Sequence, residues 1–173
     1  MNTDFKHLTL DNEVEEVVLL SSGLEDTEKI GNAIGRSVTK EDVILLSGNL
    51  GAGKTELVRS IVIGAGNKDF VRSPTFVFIN EYKGKINITH CDFYRILDVG
   101  NLQETGVEEY YDNSLVLMEW PERITNNLPK DNLIIKIFFN ESENERIIKF
   151  FTSGNKSKQL FERIIINYET NNS

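Results

Sequence analysis

The chain has 173 residues, with 19 Lys+Arg against 27 Asp+Glu for a net charge of −8. That length predicts a single domain over residues 1–173, and 39% hydrophobic against 27% charged residues excludes the composition of a disordered chain. The acidic balance argues against an autonomous grip on nucleic acid, whose phosphates are held by Lys and Arg, and the lone Cys91 excludes an intramolecular disulfide. No apolar run approaches the roughly 20 residues of a membrane span, and Met1 to Leu10 lacks a basic segment followed by an apolar one. A cytoplasmic protein without membrane contact is the expectation.

No internal repeat or low-complexity block interrupts the chain, and its three prolines mark no linker. The start is polar, and the acidic run Glu13-Val14-Glu15-Glu16 reads as a solvated face. Asp26 to Val38 places Ile30, Ala33, Ile34 and Val38 at helical spacing, with Asp26 or Thr27 as N-cap. Val43 to Ser47 is a continuous apolar run ending at Gly48, the pattern of a buried strand. From Lys54, residues Leu57, Val58, Ile61 and Val62 return to helical spacing and stop near Gly64 and Gly66. Phe76 to Tyr82 and Lys85 to Asp92 flank a Lys83-Gly84 turn as a hairpin, and Asp98 to Tyr111 reads as helical or irregular. Ser114 to Met118 is a second buried strand, ended by Glu119, Trp120 and Pro121. Leu133 to Phe139 and Arg146 to Phe151 form a second hairpin across the polar run 140–145. Ser157 to Tyr168 reads as a closing helix before a frayed polar tail from about 169. The predicted class is α/β, with a mixed, partly parallel sheet and antiparallel hairpins.

The segment GNLGAGKT, Gly48 to Thr55, fits the phosphate-loop pattern G-x-x-x-x-G-K-[ST] at every fixed position and lies between a predicted strand and a predicted helix. Glycines let successive backbone N–H groups converge on phosphate oxygens, which a Cβ would obstruct. The helix beginning near Gly53 adds the positive end of its dipole. Lys54 suits the β- and γ-phosphates and the Thr55 hydroxyl suits a Mg²⁺ shell. The motif predicts a nucleoside triphosphate site.

Asn-Lys-x-Asp, the guanine-reading string, is missing: Asn67-Lys68-Asp69 is one residue short and Asn155-Lys156-Ser157-Lys158 lacks the acid, so adenine is favoured. Glu119 and Asp92 each end a predicted strand, where open α/β sheets place ligands; either can hold Mg²⁺, its waters or the attacking water. Thr75, in Ser73-Pro74-Thr75, offers a hydroxyl on a loop suited to sensing a γ-phosphate. His90 and Cys91 are a poor zinc pair, being adjacent with no further ligand nearby. Arg95, Arg123 and Arg146 are each candidates to neutralise phosphate charge, and Trp120 reads as core or partner surface.

Taken together, GNLGAGKT, Arg59, SPTF (Ser73 to Phe76), NEY (Asn80 to Tyr82), HCDFYR (His90 to Arg95), GVEEY (Gly106 to Tyr110) and MEWPER (Met118 to Arg123) resemble the bacterial TsaE family, P-loop ATPases of the tRNA threonylcarbamoyladenosine modification system. The resemblance spans roughly Thr27 to Arg146. It implies a P-loop NTPase-like three-layer domain and a nucleotide site at Gly48, Gly51, Ala52, Gly53, Lys54, Thr55 and Glu56. Leu24, Thr27 and Arg146 would lie near the nucleotide, Glu119 with Thr55 at the metal, and Asp92 beside the nucleotide and needed for activity. It also implies TsaD-like and TsaB-like partners, with tRNA reached only through them and ATP hydrolysis resetting the complex. Asn49, Glu56 and Cys91 depart from the usual family residues; Glu56 adds a negative charge that would oppose phosphate if it faced inward.

The expectation is therefore a Mg²⁺-dependent ATPase, weak in isolation, with Lys54, Asp92 and Glu119 carrying the chemistry. Two rivals remain open on the sequence. One is an interaction module gated by ATP binding without hydrolysis; the other is a small-molecule kinase, for which no lid segment is evident.

Overall fold

The computed structural model describes residues 6–10, 14–68, 71, 78–95, 105–124 and 128–172. In chain order the elements are β1 (Lys6–Leu10), β2 (Val14–Ser21), α1 (Leu24–Ser37), β3 (Val43–Gly48), α2 (Lys54–Gly64), β4 (Ile79–Tyr82), β5 (Ile88–Asp92), β6 (Leu115–Glu119), β7 (Leu133–Phe139), β8 (Arg146–Thr152) and α3 (Asn155–Asn172). The eight strands form one sheet in the order β1-β2-β8-β7-β3-β6-β5-β4. Its centre, β7-β3-β6-β5, is parallel, and the outer pairings are antiparallel.

The continuous apolar runs sit in the middle because parallel strands are covered on both faces. Ile44, Leu46, Leu115, Leu117, Ile135 and Phe150 point to one side and pack with Ile30 and Ile34 of α1, Leu57 and Ile61 of α2, and Leu160 and Ile164 of α3. Val43, Leu45, Cys91, Val116 and Met118 point to the other, under Val107, Ile124, Tyr110 and Tyr111. That second face is covered by 3-10 turns at Val107–Tyr110 and Pro121–Arg123, which form the third layer of an α/β, P-loop NTPase-like fold. Burying each Leu, Ile or Val side chain contributes about 1.5–3 kcal/mol.

Helices α1 and α2 meet backbone to backbone. A Cβ on Gly35 would stand 2.2 Å from the Ile61 carbonyl oxygen, so only glycine permits this approach. The contact presses α2, and with it the loop that precedes α2, against the sheet.

Several boundaries differ from those the sequence predicts. Residues 14–16 of the run read as a solvated face belong to strand β2, and residue 13 lies outside the described residues; further along the strand Val17 and Leu19 are buried while Leu20 is exposed, and β2 pairs with β8 and β1. Helix α1 starts at Leu24 with Gly23 as N-cap; the Asp26 carboxylate instead accepts from the Ser22 N–H at 3.0 Å. The strand predicted from Lys85 begins at Ile88, because residues 83–87 form a wider connection than a two-residue turn. Of the segment from Asp98 to Tyr111, residues 98–104 lie outside the described residues and the rest holds the 3-10 turn. Helix α3 starts at Asn155 and runs through the predicted tail to Asn172. Residues 76 and 77 of the first hairpin also lie outside the described residues. No described helix is long and apolar enough to cross a membrane.

Candidate functional site

Strand β3 delivers Gly48 to the carboxyl edge of the sheet, and α2 leaves that edge from Lys54. Between them the chain turns through two left-handed residues, Gly51 at φ 78° and Gly53 at φ 108°, a region that L side chains rarely enter. The turn is closed by the Ala52 N–H donating to the Asn49 carbonyl at 3.1 Å. Lys54 folds back over the loop, donating to the carbonyls of Gly48 at 2.6 Å and Asn49 at 2.9 Å. Its ammonium lies 3.9 Å from the centroid of the Trp120 ring. Burial lowers the Lys54 pKa, and the carboxylates of Glu119, Glu122 and Asp92 work against that shift.

A cleft of about 360 Å³ opens on one side of the loop, lined by Lys54, Thr55, Asp92, Tyr94, Glu119 and Trp120 among others. Asp92 and Glu119 end the adjacent parallel strands β5 and β6 and are register partners, which is why two carboxylates distant in sequence share one wall. The Thr55 hydroxyl lies 3.0 Å from both Glu119 oxygens, and Glu119 Oε1 lies 2.8 Å from His90 Nε2. Asp92 Oδ1 accepts from the Tyr94 N–H at 3.0 Å. A hydroxyl and a carboxylate at a helix start, beside a lysine over backbone amides, form a donor set that fits phosphate with a hard divalent cation.

A second cleft, of about 380 Å³, lies across the loop, lined by Ser22, Leu24, Thr27, Ala52, Asn144 and Arg146 among others. Arg146 Nε donates to the Ala52 carbonyl at 3.1 Å and its Nη1 to the carbonyls of Glu143 at 2.7 Å and Glu145 at 2.8 Å. The guanidinium also lies 4.6 Å from the centroid of the Phe139 ring. Arg146 thereby ties the β7–β8 turn to the loop. Gly53 and Glu56 line both clefts, so the two meet at the start of α2. The Glu56 carboxylate forms an ion pair with Arg59 one turn along the helix, which offsets the charge that sequence reading flagged.

The structure thus brings Lys54, Thr55, Asp92 and Glu119 to one cleft, and Leu24, Thr27, Ala52 and Arg146 to the other. Gly51 lines the first cleft. Thr75, with Ser73 and Pro74, lies outside the described residues. His90 and Cys91 point to opposite faces: His90 reaches Glu119, while Cys91 is in the second core, where burial pushes its thiol up to about 12. Arg95 lines the first cleft, and Arg123 stands 6.0 Å from the Tyr94 ring centroid. Ser22, Tyr94 and Asn144 were not singled out from sequence. The contribution of Asn144 follows only from where the β7–β8 turn folds, and no local pattern marks it.

The family model described as "Threonylcarbamoyl adenosine biosynthesis protein TsaE" matches residues 21–148. The tRNA threonylcarbamoyladenosine biosynthesis protein TsaE of Bacillus subtilis (strain 168) is 34% identical over 142 residues, covering 81% of this chain and 88% of that protein. Its counterpart from Treponema pallidum (strain Nichols) is 31% identical over 119 residues, covering 68% of this chain and 88% of that protein. The crystal structure of Bacillus subtilis YdiB superposes with a TM-score of 0.77 at 30% identity, covering 89% of this chain and 97% of that chain.

Proposed function

The chain belongs to the TsaE family of tRNA threonylcarbamoyladenosine biosynthesis proteins, and within that system we propose that it is a Mg²⁺-dependent ATPase whose turnover supports repeated rounds of modification by its partners. The observation that carries this reading is the convergence of Lys54, Thr55, Asp92 and Glu119 on one cleft beside the loop from Gly48 to Thr55. Lys54 binds the β- and γ-phosphates, exchanging its two backbone carbonyls for phosphate oxygens. The loop amides and the start of α2 bind the same phosphates. Thr55 and Glu119 hold Mg²⁺, which neutralises phosphate charge when bound. Asp92, beside Glu119 on the neighbouring strand end, orients the attacking water. The second cleft, with Leu24, Thr27 and Arg146, takes the nucleoside, for which adenine is favoured.

Phosphoryl transfer to water asks the protein mainly for positioning and charge neutralisation. The partners, TsaD-like and TsaB-like proteins, supply a group or order a loop that raises a slow intrinsic rate. They also carry the tRNA, since a chain of net charge −8 is poorly suited to hold it alone. Release of labelled phosphate from ATP, measured for the isolated chain and then with the partners, tests the reading. Slow turnover that rises on partner addition is expected; equal, fast rates in both cases would refute partner activation. Label recovered on a small metabolite would mark a kinase.

A further inference from the structure

We propose that His90 is a positioning residue, holding the Glu119 carboxylate at the mouth of the first cleft through its Nε2–H. The inference rests on the ATPase reading and extends it to a residue that no ligand need touch.

His90 is 0% exposed and lies on β5, between Ile88 and Asp92 on the face turned to α2, with Leu115, Leu117 and Glu119 on the same face of the neighbouring strand. An imidazole here is an expensive substitute for leucine, because a buried polar ring is tolerated only where it is hydrogen-bonded. Its side-chain hydrogen bond among the described residues goes to Glu119 Oε1, at 2.8 Å. A carboxylate oxygen accepts, so Nε2 donates. The other ring nitrogen, Nδ1, is buried without a hydrogen-bond partner among the described residues. A side chain selected for packing would leave neither nitrogen behind; one selected to aim Glu119 needs only Nε2.

Glu119 is itself 2% exposed, so its orientation is set by its contacts and not by water. On the cleft side those are the Thr55 hydroxyl, 3.0 Å from each oxygen, and one hydroxyl hydrogen is shared between the two. Thr55 is also a group that the ATPase reading assigns to the metal. The His90 contact comes from the core side and makes no demand on Thr55, so it fixes Oε1 whatever the hydroxyl does. The Tyr82 ring, near-parallel to the imidazole at 26° and 6.4 Å between centroids, limits how far the imidazole can tilt. Groups that orient metal-binding carboxylates and histidines in this way typically change metal affinity or activity by about 10–100-fold when removed.

The test compares His90→Leu, which keeps apolar volume and removes the donor, with His90→Gln, whose amide nitrogen falls near Nε2. With partners present, the leucine variant should lose about 10–100-fold in kcat while its affinity for the metal-free ATP analogue changes by less than about threefold, because loop and nucleoside contacts are intact. Mn²⁺ binding in the presence of a non-hydrolysable ATP analogue, read by electron paramagnetic resonance, should weaken about tenfold or more. The glutamine variant should recover most of both. Adding His90→Leu to Glu119→Ala should cost nothing further, since the effect runs through the Glu119 carboxylate. Should His90→Leu not fold by circular dichroism, His90→Asn against His90→Gln decides: the shorter amide cannot reach Glu119, so retention in Gln alone supports the role and equal behaviour overturns it. Wild-type kcat and Mn²⁺ affinity in a folded His90→Leu overturns the positioning role and leaves the ATPase reading standing. Wild-type protein that neither binds Mn²⁺ with the analogue nor hydrolyses ATP overturns the ATPase reading, and this inference with it.

Discussion

The two clefts beside the phosphate loop are nearly equal in size, about 360 and 380 Å³, but they are built from different material. Asp92 and Glu119 in the first come from the ends of buried parallel strands, 8% and 2% exposed. Ser22, Leu24, Thr27 and Asn144 in the second come from the turn between β2 and α1, the start of α1, and the turn between β7 and β8, with Leu24 60% exposed. Strand ends within a sheet fix a carboxylate closely, as reacting groups require. Turns at the antiparallel wing fix shape less tightly, which suffices for recognition. On the proposed ATPase reading, the first wall carries the chemistry and the second the affinity.

Removing Lys54 should have the largest effect, because it serves the loop itself. In Lys54→Ala the contacts to the Gly48 and Asn49 carbonyls and to the Trp120 ring go together, along with the one ammonium of the loop. Turnover should fall by about 100-fold or more, and nucleotide affinity by calorimetry should fall too. An Ala variant that kept turnover would remove the loop from the chemistry and break the comparison.

Arg146→Ala sharpens the division. It removes the clamp on the Ala52 carbonyl and on the β7–β8 turn and leaves Asp92, Glu119 and Thr55 untouched. Nucleotide affinity should weaken by roughly 5–20-fold, about 1–2 kcal/mol, with kcat changed much less. Arg146→Lys should restore little, since a lysine lacks the fork that reaches several carbonyls at once. If kcat collapsed while affinity held, the second cleft would belong to the chemistry as well.

What the sequence revealed of this arrangement follows the same division. The runs Val43 to Leu46 and Leu115 to Met118 are apolar throughout because their strands are buried on both faces, so they and the acid that ends the second are visible in one dimension. The phosphate loop is visible because its glycines and Lys54-Thr55 are contiguous. β2 is not, since the acids at its start mask the alternation that buries Val17 and Leu19; its place is set by pairing with β8, more than 120 positions away. The link between His90 and Glu119 spans 29 residues and exists only through the register of β5 beside β6. Arg146 shows the same limit, since its contact with Ala52 spans 94 residues.

The smallest effect comes from the opposite edge of the sheet, where Asp131 caps α3 just before β7 begins. Its carboxylate accepts from the Lys156 N–H at 2.8 Å and the Ser157 N–H at 2.9 Å, the first-turn donors that a helix leaves unpaired. Partial burial alone would raise its pKa, but those backbone hydrogen bonds outweigh it and hold the carboxyl below its ordinary 3.8. A depressed folded-state pKa means the ionised form is favoured by folding, so this stability is present above the unfolded value and is lost as pH falls through the folded one. Asp131→Asn should therefore cost about 0.5–1 kcal/mol at pH 7, at the low end for a cap because solvent screens the site. Urea unfolding at pH 7, 5 and 3 should show the same gap at the first two values and a shrinking one at the third. Because β7 runs parallel to β3, Asp131 sits at the far end of these strands from Gly48, and both kcat and nucleotide affinity should match wild type in the folded variant. A loss of either would mean that loosening α3 reaches the loop, and the effects of Lys54 and Arg146 would then have to be separated from stability before they could be assigned to one cleft or the other.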